Sequence, residues 1–211
     1  CVKELLLSSF NVIELYAVKD WTNTVDNTQV KHVSSSKLQR ISGFKKANKV
    51  IAIANITDCI HDFKHDITLV LDDISDPGNL GTIIRTAEWF GIEQIVCSEE
   101  CVELYNPKVI QSTMGAFSSR IPIVKGVASF LEEKPKDINV YVTDFTGEPT
   151  KIISGIQKGV IVMGSESHGV SSFWESTEHT KITIASSPNS KAESLNVAVA
   201  TSIVCFQIKQ G

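Results

Sequence analysis

The sequence predicts an α/β fold, a small α/β unit followed by an open, mainly parallel sheet. Three observations carry this. Strand-like and helix-like segments alternate along the chain, as they do when helices connect the strands of one sheet. The segment ITLVLDDI (67–74) holds an unbroken apolar core, which suits a strand buried on both faces, and GVIVMGSE (159–166) reads as a strictly apolar strand ending in a Gly/Ser turn. Of 211 residues, 42% are apolar and 21% charged, a globular balance with too little net charge for a disordered chain.

Residues 2–8 read as the end of an amphipathic helix, and 10–18 as a strand rich in β-branched and aromatic residues. Residues 20–36 are polar throughout and read as a loop with room for a short helix. Ser36 is expected to cap a helical stretch that Gly43 stops. A second strand at 48–56 completes the small unit. The mixed-charge stretch 57–66 is the expected boundary, dividing residues 1–62 from 63–211. The strand at 67–74 then leads through a DPGN turn into a helix at 80–91, ended by Gly91. A strand at 92–98, a helix at 107–117 opened by Pro107, and a short strand at 121–124 follow. A helix around 127–133 precedes strands at 139–145, 159–166 and 179–186. A long helix at 193–209 closes the sequence.

Twenty Lys and Arg against 24 Asp and Glu give a net charge of -4, which argues against retention on nucleic acid by bulk charge. The balance is uneven. Residues 1–66 carry nine basic and seven acidic groups, so a polyanion contact should favour the first part. There Lys37, Arg40, Lys45, Lys46 and Lys49 cluster near Phe44, a pattern that contacts phosphates and stacks a base; a solvated basic face is the plain alternative. Five cysteines, an odd count without framework spacing, point to a reducing cytoplasm. Cys59, His61 and His65 match no zinc spacing, and no metal is expected. Cys97 and Cys101 read as a buried strand residue and a loop or helix-start residue rather than a redox pair. No apolar run approaches the ~18 residues of a membrane helix. No basic-then-apolar leader suggests export, and Cys1 in place of Met suggests numbering that starts inside a longer product.

In open α/β sheets ligands bind beyond the carboxyl ends of the strands. Three loops at such ends hold unusual residues: DPGNLGTIIR (76–85), MGSESHGVS (163–171) and SSPNSKAESLN (186–196). The first is neither a dinucleotide fingerprint nor a P-loop. Its Pro77-Gly78 turn, Gly81 and Arg85 suit an anion at a helix start, or an ordinary connection with a surface Arg. In the second, Gly164 and Gly169 bracket Ser165, Glu166, Ser167 and His168; the histidine is a tempting base but reads more simply as solvated. In the third, Ser194 or Asn196 caps a helix, or faces the same cleft as the other two loops.

DPGNLGTIIRTAEWFG, IVMGSESHGVS and ESLNVAVATSI together resemble the three signature motifs of the SpoU/TrmH family, RNA ribose 2′-O-methyltransferases of the SPOUT class, and STMGAFSSRIPI resembles the segment between the first two. The resemblance covers residues 67–211. Residues 1–66 are more loosely similar to the family's ribosomal-protein-L30e-like substrate domain. The resemblance implies a trefoil-knotted, mainly parallel sheet with helices on both faces, an exception to the rule against knots. It also implies S-adenosylmethionine as cofactor, ribosomal or transfer RNA as substrate, and a homodimer. By motif it places Asn79, Arg85, Glu166, Ser194 and Asn196 at the catalytic centre. Gly164, Ser165, Ile184, Ser194, Leu195 and Asn196 would line the cofactor pocket. The third motif departs from the family pattern: Thr183 stands where Pro is usual, and no glycine precedes Ser194.

For methyl transfer to a ribose hydroxyl the resemblance implies that Arg85 binds the neighbouring phosphate and takes part in deprotonation, although Arg is an awkward base because a guanidinium gives up its proton so reluctantly. The phosphate itself is the other candidate acceptor. Asn79 and Glu166 are expected to orient Arg85 and the catalytic loop, and Ser194 and Asn196 to order the loop and bind substrate or cofactor. A non-catalytic RNA-binding or assembly protein that keeps the knotted fold is the alternative function.

Overall fold

A computed structural model describes residues 1–22, 29–46, 48–56, 63–64, 66–92, 94–118 and 123–210. Cys59, His61 and His65, and most of the expected boundary at 57–66, lie outside the described residues.

A short helix α1 (Val2–Leu6) precedes strand β1 (Val12–Ala17). Strand β2 (Val30–His32) pairs parallel with β1 inside the stretch read as a loop. Three residues, one of them half-buried, leave no apolar pattern to find; pairing with β1 defines this strand. Helix α2 (Ser35–Ile41) is capped by Ser34 rather than Ser36, its hydroxyl accepting from the Lys37 N–H at 3.2 Å. Strand β3 (Val50–Ala54) runs antiparallel to β1, giving a mixed sheet of order β2-β1-β3.

Strand β4 (Ile67–Leu71) starts the larger sheet. Helix α3 (Pro77–Trp89) begins three residues before the expected 80. Asp76 caps it by accepting the Asn79 N–H at 2.8 Å, and Pro77 takes the first helical position, where its missing N–H costs nothing. The DPGN segment is therefore a helix start, not a turn. Strand β5 (Gln94–Cys97), helix α4 (Pro107–Ser112), strand β6 (Ile123–Lys125) and helix α5 (Val127–Glu133) follow. Helix α4 stops before the expected 117; a 3₁₀ turn at Ala116–Ser118 takes over. Strand β7 (Val140–Pro149) extends past the expected 145 because, after a bulge, it pairs again with β9 (Thr180–Thr183). Strand β8 (Gly159–Met163) comes between β7 and β9 in the chain but pairs between β4 and β7 in the sheet. Helix α6 (Val197–Ile208) starts four residues after the expected 193, with Asn196 as its cap.

The larger sheet has the order β6-β5-β4-β8-β7-β9, and every pairing is parallel. Strands β4 and β8 are its centre, and all five residues of each are buried. Alternate residues feed two cores. Leu69 and Leu71 pack with Ile83 and Ile84 of α3 and Val204 of α6. Val70 and Val162 pack on the other face with Phe130 of α5 and Trp174. The expectation that β4 is buried on both faces holds. The chain leaves β4 toward β5 on one side, while β8 joins β4 on the other, so the loops after β4 and β8 diverge and open a crevice.

Gly81 lies inside α3, not at its mouth. A Cβ there would sit 2.5 Å from Ser112 Cβ and 2.6 Å from the Val109 carbonyl oxygen of α4. Only glycine allows the two helices to cross this closely. The small unit meets the larger one at the 116–118 turn. There Phe10 stacks edge-on to Phe117 with centroids 6.0 Å apart, and Glu4 packs over Gly115.

Two outcomes follow from this packing. Gly81→Ala should destabilise the protein by about 1–3 kcal/mol in urea unfolding, because α4 must move despite the better helix propensity of Ala. At the sheet edge, Lys181 Nζ stands 2.9 Å from Asp144 Oδ2, and Thr146 donates twice to Oδ1 at 2.7 Å. The Lys181 ammonium, then Thr146, hold the Asp144 carboxyl down to about 2. The stabilisation is complete above the unfolded carboxyl value near 4 and is lost as pH falls through about 2. Lys181 is half exposed. The pair should therefore contribute only about 1 kcal/mol, seen as a smaller acid-induced loss of stability in Lys181→Ala between pH 4 and 2.

Candidate active site

Three side chains from three loops meet beyond the carboxyl ends of β4 and β8. Asn79, in the first turn of α3, donates from Nδ2 to Glu166 Oε1 at 3.2 Å. Asn196, the cap of α6, donates from Nδ2 to the same Glu166 oxygen at 2.5 Å and to Asn79 Oδ1 at 2.9 Å. The Val197 N–H adds a third bond to Glu166 Oε1 at 2.9 Å. Asn196 also accepts the N–H groups of Ala198 and Val199 through Oδ1. Glu166 thus sits at the N-terminal end of a 12-residue helix, where a carboxylate is stabilised both by free N–H groups and by the helix dipole. Its other oxygen takes no protein hydrogen bond among the described residues.

The loop that carries Glu166 is closed on itself. Ser165 and Gly169 exchange N–H···O bonds at 2.8 and 2.9 Å, and Gly169 has φ +71°. A Cβ on Gly164 would lie 2.3 Å from the Gly169 carbonyl carbon. Both glycines are needed for this turn. The Ser165 hydroxyl reaches Ser167 at 3.2 Å, and Ser167 reaches His168 Nδ1 at 2.8 Å, leaving the histidine exposed on the loop.

Of the residues singled out from sequence, the structure brings together Asn79, Glu166 and Asn196. It does not join Arg85 to them. Arg85 lies six residues beyond Asn79, about 9 Å along the helix and on a different face. It is exposed and has no hydrogen bond or ion pair among the described residues. The expectation that Asn79 and Glu166 orient Arg85 is therefore corrected: no hydrogen bond joins either to Arg85, and Asn79 Nδ2 and Oδ1 and Glu166 Oε1 are engaged with each other and with α6. Ser194 is exposed and takes no part in capping, which Asn196 performs alone. Leu195 is 46% exposed, while Ile184 is half-buried against the core. Lys37, Arg40, Lys45, Lys46 and Lys49 are all exposed, on α2 and the segment before β3, and Phe44 is half-buried. Lys49 pairs with Asp20 at 2.6 Å, which offsets part of that basic face.

Sequence reasoning missed Asp76, although Asp before Pro-Gly is a readable helix cap. It considered Cys101 but did not anticipate the burial of its thiol. Cys101 accepts the Ile74 N–H at 3.3 Å beneath the loop after β4. A hydrogen bond with Cys97, with help from the Ile74 and Ser98 contacts, brings the Cys101 thiol down to about 7 against burial. Burial pushes Cys205 up to about 12. Among the described residues no group of three or more His, Cys, Asp or Glu is placed to hold a metal ion, and no helix is long and apolar enough to cross a membrane.

Comparison with known proteins matches residues 66–206 to the SpoU rRNA Methylase family. The 23S rRNA (guanosine(2553)-2′-O)-methyltransferase RlmP of Bacillus subtilis is 33% identical over 144 residues, 67% of this chain and 57% of the relative. A solved structure from Porphyromonas gingivalis, assigned to the TrmH family of RNA methyltransferases, superposes with a TM-score of 0.86 at 28% identity, over 99% of this chain and 86% of that one. The methyltransferase AviRb of Streptomyces viridochromogenes, in complex with AdoMet, shares the fold with a TM-score of 0.83 at 19% identity, over 98% and 85% of the two chains. The chain spans 57%, 60% and 52% of the length of the first curated relatives it matches.

Glu166→Ala should leave the Val197 N–H and both asparagine amides short of an acceptor. Amide exchange at Val197 should accelerate while that of Leu69 in β4 stays unchanged. The loss of stability should be about 1 kcal/mol, because the junction is partly solvated.

Proposed function

The chain belongs to the SpoU rRNA Methylase family over residues 66–206, and from that membership we propose that it is an S-adenosylmethionine-dependent RNA ribose 2′-O-methyltransferase. Its substrate is structured RNA, ribosomal rather than transfer. The observation that carries this reading is the meeting of Asn79, Glu166 and Asn196 where the loops of the two central strands diverge. The B. subtilis relative, named for methylation of a 23S rRNA guanosine, supports the ribosomal substrate.

The loops fit the cofactor. Leu195 and Ile184 offer apolar surface, and the N–H groups of Ser194 and Leu195 take no partner among the described residues. Such free backbone donors beside apolar surface suit a heterocycle held edge-on. Gly164, Ser165, Ile184, Ser194, Leu195 and Asn196 would hold it, the missing Pro at 183 and the missing glycine notwithstanding. When bound, S-adenosylmethionine supplies a methyl group on a positively charged sulfur. Glu166 and Asn196 keep the two cofactor-side loops in register, and Asn79 ties both to α3. Arg85, unpartnered among the described residues, binds the phosphate beside the target ribose and so aligns its 2′-hydroxyl. The two candidate acceptors for the hydroxyl proton are the Arg85 guanidine and the substrate phosphate, and alignment of the hydroxyl with the methyl group is the part that Arg85 supplies through its fork of donors.

Residues 1–62 form the RNA-binding domain of this reading, L30e-like, with Lys37, Arg40, Lys45, Lys46 and Lys49 facing solvent. A homodimer is supported by an apolar stripe on α6, where Val199, Ile203 and Phe206 are 49%, 36% and 53% exposed. Trp89, 82% exposed, lies at the end of α3, whose Thr86 hydroxyl is 3.3 Å from that of Ser202 on α6. The knotted path is supported by the return of residues 184–196 from edge strand β9 to the sheet centre. Residence in a reducing cytoplasm rests on the odd cysteine count.

Isothermal calorimetry should show S-adenosylmethionine binding to the wild-type protein, and labelled methyl groups should pass to ribosomal RNA. Arg85→Ala should lower methyl transfer by about 100-fold or more while cofactor affinity stays within about threefold. Cofactor binding without transfer to any RNA would favour the non-catalytic alternative, and a folded protein that binds no cofactor would overturn the proposal.

A further inference from the structure

Asp72 is the first residue after β4, and its side chain is buried, 4% exposed. One oxygen, Oδ2, accepts two hydrogen bonds: from the Ser171 N–H at 2.7 Å and from the Trp174 indole Nε1–H at 2.9 Å. Ser171 ends the loop that carries Glu166, and Trp174 lies just past it. The main chain of Asp72 holds the other side of the same loop, its N–H donating to the Met163 carbonyl at 2.9 Å. A single residue therefore grips the segment where it leaves β8 and where it returns to the core. Between these points run only residues 164–170, folded over the Ser165–Gly169 bridge with Glu166 at the tip.

Two features set Asp72 apart from a routine loop contact. Among the described residues no Lys, Arg or His pairs with its side chain, so a buried carboxyl group is held by two neutral donors. Both donors have few alternatives: Trp174 is 1% exposed and Ser171 N–H is part-buried. Removing the acceptor strands both at once, and an unmade bond to a buried donor costs more than the bond itself contributes. The position of the 3₁₀ turn at Ser172–Ser176 is thus coupled to the end of β4, where the chain also turns toward Asn79.

We propose that Asp72 is a positioning residue for the candidate site: its buried carboxylate ties the far end of the 164–171 loop to β4, so that Glu166 at the tip is presented to Asn79 and Asn196. Asp72 does not itself touch the three. Its effect on the cofactor rests on the function proposed above; its effect on loop order does not.

The test uses Asp72→Ala, Asp72→Asn and Trp174→Phe in the full chain. Amide exchange is read at Ser165 and Gly169 in the loop, with Leu69 in β4 as the fold control, and calorimetry gives the affinity for S-adenosylmethionine. In Asp72→Ala, exchange at Ser165 and Gly169 should accelerate and cofactor affinity should fall, each by about tenfold, with Leu69 still protected. Asp72→Asn keeps a carbonyl oxygen for both donors and should restore both readouts to within about threefold of wild type. Trp174→Phe removes one bond and keeps the core ring. It should accelerate loop exchange even if Asp72→Ala fails to fold. Unchanged exchange at Ser165 and Gly169 in Trp174→Phe and in every folded Asp72 variant would overturn the proposal, as would an Asp72→Asn protein no better ordered than Asp72→Ala. A wild-type protein that binds no S-adenosylmethionine would instead overturn the function, leaving the exchange data to decide the role of Asp72.

Discussion

The arrangement of the site depends on one oxygen atom. Glu166 Oε1 accepts from two asparagine amides and a backbone N–H, and these three donors come from α3 and from the start of α6. The residues are 87, 30 and 117 positions apart in the chain. Contacts at such separations are entropically costly to assemble by themselves. They are assembled here because the sheet has already been formed: β4 delivers α3, β8 delivers the Glu166 loop, and α6 packs against α3. The polar junction refines a geometry that apolar burial establishes, and it is too exposed to be a main source of stability.

The strand order gives the junction its location. If β8 had been added beyond β5, its loop would follow the β4 loop in the same direction and no crevice would open. Placing β8 on the other side of β4 makes the loops part. Asn196 then bridges the gap, because its side chain caps α6 with one atom and donates across the crevice with another. The same residue both ends a loop and starts a helix, so the start of α6 cannot shift along the chain without breaking the junction.

Much of this was legible in the residues. The apolar runs at 67–71 and 159–163 identify the central strands because burial on both faces leaves no polar alternation. The Asn79, Glu166 and Asn196 positions were legible through the motif resemblance, not through spacing, since nothing local says that residues so far apart meet. The start of α3 was misread because Asp-Pro-Gly-Asn is a strong turn pattern; the structure uses the same Asp as a cap and the same Pro as a first helical residue. The polar stretch around Val30 conceals β2, whose identity lies in its partner. The placement of Arg85 was not legible, because a shared motif does not imply a shared helix face: six residues turn the helix through roughly 240° from Asn79.

The small N-terminal unit is not an independent attachment. Phe10 packs on Phe117, and Glu4 covers Gly115, in the segment that follows α4. That segment also touches α3, and α4 crosses α3 at Gly81, two residues past Asn79 and four before Arg85. One helix therefore carries a member of the polar junction, the exposed arginine, and the surface on which the other unit rests. A displacement of α1 or of the 116–118 turn must be taken up either by the Phe10–Phe117 contact, which is a single edge-on pair, or by α3 itself. Because α3 is wedged between α4 and α6 and buries Leu80, Ile83, Ile84 and Ala87 completely, the aromatic contact is the softer of the two.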